Sequence, residues 1–193
     1  MSPKQVKVGV FVPLSTMLLD IAAVDLIGMG SKEYMAQIPF LPQHIHDLAP
    51  SVAIYYIAPG KTFEVTPDGK MQATHDYAHP DVQPGKLDIM LVPGPEPEAT
   101  FDEESLSFLR RHAATEGTDI ISICTGAFLC AASGMAEGRT LCGPRGVQDS
   151  LRKKNPGVKF VGEKCRWHQD GNIWSSGKSF FAYSGPHKGL VGS

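Results

Sequence analysis

Residues 119–129 read Asp-Ile-Ile-Ser-Ile-Cys-Thr-Gly-Ala-Phe-Leu. The run that ends at Ile123 is almost continuously apolar, as expected for a parallel strand that is buried on both faces. The small residues Gly126 and Ala127 then allow a tight turn into a helix, which is the geometry that presents a nucleophile at the top of an α/β sheet. This stretch therefore predicts an α/β fold with Cys124 on the turn after a central strand.

The rest of the chain repeats this alternation of short apolar runs and helical patterns. Such an order is typical of βαβ units and predicts a mainly parallel sheet with helices on both faces. A Thr-Pro-Asp-Gly-Lys turn at 66–70 predicts a hairpin beside that sheet, and Asp102 is the predicted N-cap of the helix that follows it. The predicted strands are 6–13, 52–58, 89–92, 120–123 and 158–161, and the predicted helices are 21–30, 103–116, 126–133 and 146–154.

Length and composition restrict the class of protein. The chain has 193 residues, of which 42% are hydrophobic and 20% charged, and its formal net charge is −2. These values predict one globular domain and disfavour a disordered chain, a nucleic-acid-binding protein and a protein held on an anionic membrane. The apolar run at 8–14 is too short to span a membrane, and the four cysteines show no CxxC pair. We therefore expect a cytoplasmic protein with its domain over residues 1–177 and an irregular tail over 178–193.

Cys124 is open to two interpretations. At the start of a helix, unpaired N–H groups and the helix dipole favour the thiolate, which is the reactive form of cysteine. The backbone N–H of Thr125 would then point toward negative charge that forms on a bound substrate. Alternatively, Cys124 is a small apolar residue buried at the end of a strand, which is the commonest role of a free cysteine.

Two further loops are expected at the same edge of the sheet as Cys124. Residues 91–97, Leu-Val-Pro-Gly-Pro-Glu-Pro, follow a predicted parallel strand, and open α/β sheets bind ligands at that end. Asp20 lies among apolar residues in the loop after the first strand. It is either the N-cap of the helix that follows or a protonated carboxyl that faces Cys124 and can donate a proton. The spacing does not separate these two roles.

Five segments, in this order, carry a resemblance to a known family. They are Leu-Leu-Asp at 18–20, Asp-Ile-Met-Leu-Val-Pro-Gly at 88–94, Ser-Ile-Cys-Thr-Gly-Ala at 122–127, Ala-Glu-Gly-Arg-Thr at 136–140, and Arg-Trp at 166–167 with Asp-Gly-Asn-Ile-Trp-Ser-Ser-Gly at 170–177. Over residues 6–177 the chain resembles the ThiJ/PfpI (class I glutamine amidotransferase-like) superfamily, and within it the isonitrile hydratase-like branch most. The resemblance implies a flavodoxin-like sandwich, a cysteine on a nucleophile elbow, an acid from the first loop and a homodimer.

The resemblance also implies roles for individual residues. Cys124 matches the family nucleophile, and Asp20 matches its acidic partner. Thr125 matches the residue whose N–H helps to bind developing charge, and Gly94 matches the first glycine of the family's Pro-Gly-Gly loop. Together with Gly126, these two residues form the expected oxyanion and substrate-binding set.

Three features depart from the family pattern. Pro95 replaces the second glycine of the Pro-Gly-Gly loop, and proline has no N–H to donate. Residues 141–145 read Leu-Cys-Gly-Pro-Arg where protease-like and amidotransferase-like relatives carry a histidine, so no Cys–His dyad is expected there. After 177 the chain reads Lys-Ser-Phe-Phe and does not continue into the family's closing helix, so we expect that C-terminal helix to be missing.

The remaining histidines and cysteines are expected to have structural roles. His75, His79 and His168 can approach the edge of the sheet, but their spacing is not that of metal ligands. We therefore expect no metal and no other cofactor. Cys130 and Cys142 are expected to be buried and inert.

The resemblance and the site residues together predict an enzyme. The leading hypothesis is hydration of an isonitrile to an N-substituted formamide, in which the Cys124 thiolate attacks the terminal carbon, protonated Asp20 delivers a proton, and water resolves the thioimidate. One alternative is a glyoxalase- or deglycase-like reaction of the same thiolate with a small α-oxoaldehyde. Another is a non-catalytic stress protein that senses oxidation through a sulfinic acid on Cys124. For either enzyme the expected partner is a small molecule, with no nucleic acid and no membrane.

Overall fold

The computed structural model describes residues 5–96 and 98–177. Its strands, in chain order, are β1 (Val6–Phe11), β2 (Thr16–Met17), β3 (Val52–Ile57), β4 (Thr62–Thr66), β5 (Gly69–Gln72), β6 (Ile89–Val92), β7 (Asp119–Ile123), β8 (Thr140–Leu141), β9 (Lys159–Phe160), β10 (Trp167–Asp170) and β11 (Ile173–Ser176). Its helices are α1 (Leu18–Ile21), α2 (Ala23–Met29), α3 (Lys32–Met35), α4 (Gln43–Leu48), α5 (Glu103–Ala113), α6 (Gly126–Ala132) and α7 (Gln148–Lys154). Short 3₁₀ turns lie at Pro80–Val82 and Arg145–Val147.

The central sheet contains six strands in the order β10-β11-β7-β6-β1-β3. All neighbouring pairs are parallel except β10 and β11, which form an antiparallel hairpin. The middle strand β6, Ile-Met-Leu-Val, is wholly apolar because both of its faces are covered. The predicted α/β class and mainly parallel sheet are therefore confirmed.

Two apolar layers cover opposite faces of this sheet. In one, Phe108 and Leu109 of α5 are fully buried in a cluster that also contains Phe11 of β1. In the other, Ile21 of α1 packs in a cluster with Val10, the neighbour of Phe11 in the strand. Because successive side chains of a strand point to opposite faces, the two clusters lie on opposite sides of the sheet. The predicted sandwich with helices on both faces is thus confirmed.

Two local predictions are also confirmed. Asp102 caps α5, where its Oδ1 accepts a hydrogen bond from the Ser105 N–H at 2.7 Å. The turn at 66–70 joins β4 and β5 in an antiparallel hairpin. Together with β2, this hairpin forms a separate three-stranded sheet beside the central one.

Two predictions about individual elements are wrong, and one strand was not predicted. The helix predicted over 21–30 is divided into α1 and α2 and begins earlier, because Met17 N–H and Thr16 Oγ1 both bond to the Gly94 carbonyl and hold the chain in place just before Leu18. The strand predicted over 158–161 is the two-residue β9, which pairs with β8 outside the central sheet. The strand that was not predicted is β11, which pairs in parallel with β7. Its mixed sequence, Ile-Trp-Ser-Ser, did not indicate a strand.

The tail and the missing closing helix, both predicted for residues 178–193, lie outside the described residues and stay predictions. None of the helices in the described part of the chain is long and apolar enough to cross a membrane. The strands β1, β6 and β7 are parallel and adjacent, so the loops that follow them open at one edge of the sheet. This carboxyl edge is where open α/β sheets place their ligands.

Candidate functional site

Cys124 lies directly after β7 in a backbone conformation that L-amino acids rarely adopt. Its φ angle is 56°, and among the described residues Asp68 is the only other non-glycine residue with a positive φ. The left-handed conformation costs an L-residue roughly 1–2 kcal/mol and persists only where the surrounding structure enforces it. Here the Cys124 N–H donates to the carbonyl oxygen of Ser176, at the end of β11, at 3.0 Å. The predicted strand, sharp turn and helix around Cys124 are therefore confirmed.

Gly126, the first residue of α6, brings that helix close to the neighbouring strand. A Cβ atom at this position would lie 2.3 Å from the carbonyl oxygen of Val92 in β6, a distance that no side chain can occupy. The close approach allows α6 to begin almost directly after Cys124. Gly126 thus has a packing role, and its contact with a substrate stays a prediction.

Asp20 is fully buried and is the third residue of α1. The N-cap of α1 is Met17, so the interpretation of Asp20 as a helix N-cap is wrong. Its Oδ2 instead accepts a hydrogen bond from the backbone N–H of Gly94 at 3.0 Å. The next residue, Ile21, packs in the same apolar cluster as Cys124. A buried carboxyl group is thus held by a backbone amide of the loop after β6.

Gly94 lies between Asp20 and Thr125. A Cβ atom built on Gly94 would be 2.5 Å from Asp20 Oδ2, 2.3 Å from Thr125 Oγ1 and 3.0 Å from Thr125 N. A side chain at this position would therefore collide with both neighbours. The structure brings together three of the predicted site residues: Asp20 in α1, Gly94 in the loop after β6, and Thr125 in the turn after β7.

Two hydroxyl groups donate hydrogen bonds to the backbone of the loop that contains Gly94. Thr125 Oγ1 donates to the carbonyl oxygen of Pro95 at 2.6 Å, and Thr16 Oγ1 donates to the carbonyl oxygen of Gly94 at 2.9 Å. Pro95 has no N–H to offer, and its contribution to the site is this carbonyl oxygen. Sequence reasoning missed both contacts, because a bond to a backbone carbonyl leaves no signal in residue spacing.

A cavity of about 490 Å³ lies between β4 and the loops that follow β1 and β6. Its lining consists of Leu14, Ser15, Thr62, Phe63, Glu64, Glu96, Ala99 and Thr100. Phe63 also packs in the apolar cluster that contains Cys124, but neither Cys124 nor Asp20 is among the lining residues. Cys124 itself is 9% exposed.

The chain carries the sequence pattern of a known family. Residues 44–182 match the pattern that defines the DJ-1/PfpI family. The chain belongs to the DJ-1/PfpI family. The superfamily resemblance stated from the sequence is thereby confirmed, while the isonitrile hydratase-like branch stays a prediction. No curated protein matches the chain.

Several solved structures share the fold of the chain. Drosophila melanogaster DJ-1beta is 16% identical, with a TM-score of 0.67 over 91% of this chain and 83% of its own. A cysteine-to-alanine mutant of a DJ-1 superfamily protein from Salmonella typhimurium is 19% identical, with a TM-score of 0.65 over 90% of this chain and 82% of its own. An AraC family transcriptional regulator from Pseudomonas putida is 13% identical, with a TM-score of 0.61 over 92% of this chain and 85% of its own. At these identities the likeness concerns the fold alone.

Two other cysteines of this DJ-1/PfpI chain are less suited to act as nucleophiles. Burial raises the pKa of Cys130 to about 12. Burial and the neighbouring Cys165 raise the pKa of Cys142 to about 12 as well. Thiols with such pKa values are neutral near pH 7, and the neutral thiol is not the reactive form. The prediction that Cys130 and Cys142 are buried is confirmed.

Proposed function

We propose that this member of the DJ-1/PfpI family is a cysteine-dependent enzyme that hydrates an isonitrile to an N-substituted formamide. The observation that carries the proposal is the presence of three buried groups at one edge of the sheet: Cys124 at a strained turn, the Asp20 carboxyl, and the Gly94 N–H that holds this carboxyl. Cys124 supplies a nucleophile and Asp20 supplies an acid, which are the two groups that the reaction needs.

The reaction proceeds in two steps. The Cys124 thiolate forms a bond to the terminal carbon of R–N≡C, and this carbon takes the proton of Asp20, which gives the thioimidate R–N=CH–S–Cys. Water then adds across the C=N bond, with hydroxyl on carbon and hydrogen on nitrogen. The C–S bond breaks, its electron pair returns to sulfur, and the hydroxyl proton returns to Asp20. The product is R–NH–CHO, so the net change is the addition of one water molecule.

Asp20 suits the role of the acid because of where its carboxyl lies. The Asp20 carboxyl is fully buried, and the proposed reaction requires it to hold the proton that is transferred. The Gly94 N–H fixes the orientation of the carboxyl through Oδ2. We place the transferable proton on Oδ1, the oxygen that this bond does not use.

The sequence favours this chemistry over amide hydrolysis. Residues 141–145 contain no histidine, so the Cys–His pair of protease-like relatives is not available there. Amide hydrolysis must protonate and expel a leaving amine during the acyl transfer. An isonitrile only needs a proton on carbon as the thiolate attacks, and a single acid can deliver it.

Formation of a formamide from a simple alkyl isonitrile tests the proposal. Cys124→Ala is expected to abolish turnover, because the nucleophile is lost. The matched control is Cys165→Ala, which removes a partly exposed thiol elsewhere and should keep the wild-type rate. Product is measured by NMR. Turnover that persists in Cys124→Ala, or folded wild-type protein that makes no formamide, contradicts the proposal.

A second candidate is a glyoxalase-type reaction, for which the supporting observation is the set of polar residues in the cavity beside β4. Ser15, Glu64 and Thr100 contribute to its lining and suit a small, hydrated α-oxoaldehyde. The same thiolate would add to the aldehyde carbon and form a hemithioacetal. Lactate from methylglyoxal, without any formamide from an isonitrile, would favour this candidate. A protein that forms neither product, and whose Cys124 selectively gains two oxygens under mild peroxide, would be the redox-sensing stress protein.

We also propose that the chain acts as a homodimer in the cytoplasm. The helices α1 and α2 expose four large apolar side chains, Leu18, Leu19, Leu26 and Met29, each at least 47% accessible. A patch of this kind on neighbouring helices is typical of a subunit interface. The described cysteines are all free, which suits a reducing compartment. Light scattering should report a dimer that Leu26→Asp converts to a monomer, and a wild-type monomer would contradict the proposal.

A further inference from the structure

A cluster of side chains that can bind a metal lies outside the proposed active site. The imidazoles of His75 and His79 and the carboxylate of Asp81 each offer one ligand atom, and these atoms all lie within 4.8 Å of one another. The two rings are nearly perpendicular, with centroids 4.2 Å apart, and His79 Nδ1 is 3.9 Å from Asp81 Oδ2. Sequence spacing did not indicate this cluster, because the residues lie on an irregular segment that matches no known metal motif.

We propose that His75, His79 and Asp81 bind a divalent transition-metal ion of the Zn²⁺ class. Two imidazole nitrogens and one carboxylate oxygen are ligands that Zn²⁺ and its first-row neighbours accept. Three protein ligands leave at least one position for water. The proposed site shares no residue with Cys124 and Asp20, and it does not depend on the proposed function.

The backbone of both histidines is anchored. The His75 N–H donates to the carbonyl oxygen of Tyr56 at 3.1 Å, and the His75 carbonyl accepts from the Ala58 N–H at 3.2 Å, so His75 is fixed beside the end of β3. The His79 carbonyl accepts from Gln83 Nε2 at 2.9 Å. Because the fold already holds these segments, little further ordering is needed to bring the ligands together.

Thr74 orients the His75 ring, as the outer partner of a metal-binding histidine does. Its Oγ1 accepts from the Tyr56 N–H at 2.9 Å, and it lies 3.3 Å from the Tyr56 carbonyl oxygen and 2.8 Å from His75 Nδ1. When the hydroxyl proton is donated to the Tyr56 carbonyl, the contact with the ring is a hydrogen bond from His75 Nδ1–H. The lone pair of the ring is then on Nε2, where a metal ion can bind it.

The side chains of the cluster have room to reach metal-bonding distance. Zinc bonds of about 2.0–2.1 Å place tetrahedral ligand atoms roughly 3.3 Å apart. Because the ligand atoms lie within 4.8 Å of one another, they must move closer by at most about 1.5 Å. The side chains of His79 and Asp81 are 40% and 59% exposed, which leaves them room to rotate.

Titration of the full chain with Co²⁺ tests the site, because Co²⁺ absorption reports the ligands and a thiolate ligand adds an intense near-ultraviolet band. We expect one Co²⁺ per chain without that band, and displacement by Zn²⁺. His75→Gln, His79→Gln and Asp81→Asn should each weaken binding by about tenfold or more. The matched control is His44→Gln, which replaces an exposed histidine outside the cluster and should bind as the wild type does.

Equal affinity in the wild type, His75→Gln and His79→Gln overturns the proposal, provided that circular dichroism shows folded variants. A thiolate band that disappears in Cys124→Ala also overturns it, because the metal would then be bound at the catalytic cysteine. Zn²⁺ should raise the Tm of the wild type and of His44→Gln but not that of His79→Gln. These readouts need no enzyme activity, so failure of the proposed hydration would leave them unaffected.

Discussion

The backbone N–H of Gly94 donates a hydrogen bond to Asp20 Oδ2 at 3.0 Å, although the two residues are 74 positions apart in the sequence. The carbonyl of Gly94 accepts from Thr16 Oγ1 and from the Met17 N–H. Both polar groups of Gly94 therefore join the loop after β6 to the start of α1. The position of the Asp20 carboxyl thus depends on a residue that has no side chain.

Gly94→Ala is expected to destabilise the fold by about 1–3 kcal/mol and to reduce turnover, because the added methyl group would collide with Asp20 Oδ2 and Thr125 Oγ1. The control is Gly28→Ala in α2, where a Cβ atom meets nothing within 4 Å. Improved helix propensity should stabilise this variant by up to about 1 kcal/mol. Urea unfolding measures both changes, and equal effects in the two variants would contradict the close packing at Gly94.

Asp20→Asn is expected to lower isonitrile turnover by about 10²–10⁴-fold, because the side chain can no longer transfer a proton. The amide oxygen of the substituted side chain would still accept the hydrogen bond from the Gly94 N–H, so Tm should stay close to the wild-type value. Turnover and thermal unfolding are measured on the same preparation. Wild-type turnover in this variant would show that Asp20 is not the acid.

Cys124→Gly should be more stable than Cys124→Ala by about 1 kcal/mol, because glycine adopts a positive φ without the steric cost that alanine bears. Both variants should be inactive. The control pair is Cys130→Gly and Cys130→Ala in the middle of α6, where the order should be reversed because glycine weakens a helix. The measurement is the free energy of unfolding in urea. If the Gly and Ala variants rank in the same order at positions 124 and 130, the turn at Cys124 is not strained.

Asp102→Ala should cost about 1 kcal/mol at pH 7, because the cap of α5 is lost. The Ser105 N–H donates to Asp102 and holds the pKa of this carboxyl below its usual value of 3.8. A carboxyl whose pKa is lowered on folding stabilises the protein above its unfolded pKa, and this stabilisation is lost as the pH falls through the folded pKa. The difference in the free energy of unfolding between Asp102→Ala and the wild type should therefore become smaller as the pH is lowered below about 4. The control is Glu116→Ala, which replaces an exposed carboxylate and should have nearly the same free energy of unfolding as the wild type at pH 7 and below pH 4.

The turn at Cys124 could be predicted because its signals are local. An apolar strand followed by Cys-Thr-Gly-Ala lies in one short stretch of sequence. The role of Asp20 could not be predicted in the same way, because an aspartate before an apolar helix suits an N-cap equally well. Its actual partner is a backbone amide of Gly94, and every residue except proline has such an amide.

Long-range pairing explains the other differences between sequence and structure. β11 is a parallel neighbour of β7 through backbone bonds, and its mixed sequence Ile-Trp-Ser-Ser resembles a surface segment. His75 and His79 meet Asp81 because the chain folds back after the β4–β5 hairpin and enters the 3₁₀ turn at Pro80–Val82. Neither arrangement has a regular period that could be recognised in the sequence.

The hydrogen bond from the Cys124 N–H to the Ser176 carbonyl has a practical consequence for protein engineering. A purification tag or reporter attached just after Gly177 would begin next to the group that sets the geometry of the reactive turn. A tag or reporter is better attached ahead of β1, at the opposite edge of the sheet. If a fusion made after Gly177 loses the reactivity of Cys124, the cause would then be distortion of the turn. It would not show that the protein without a fusion lacks the activity.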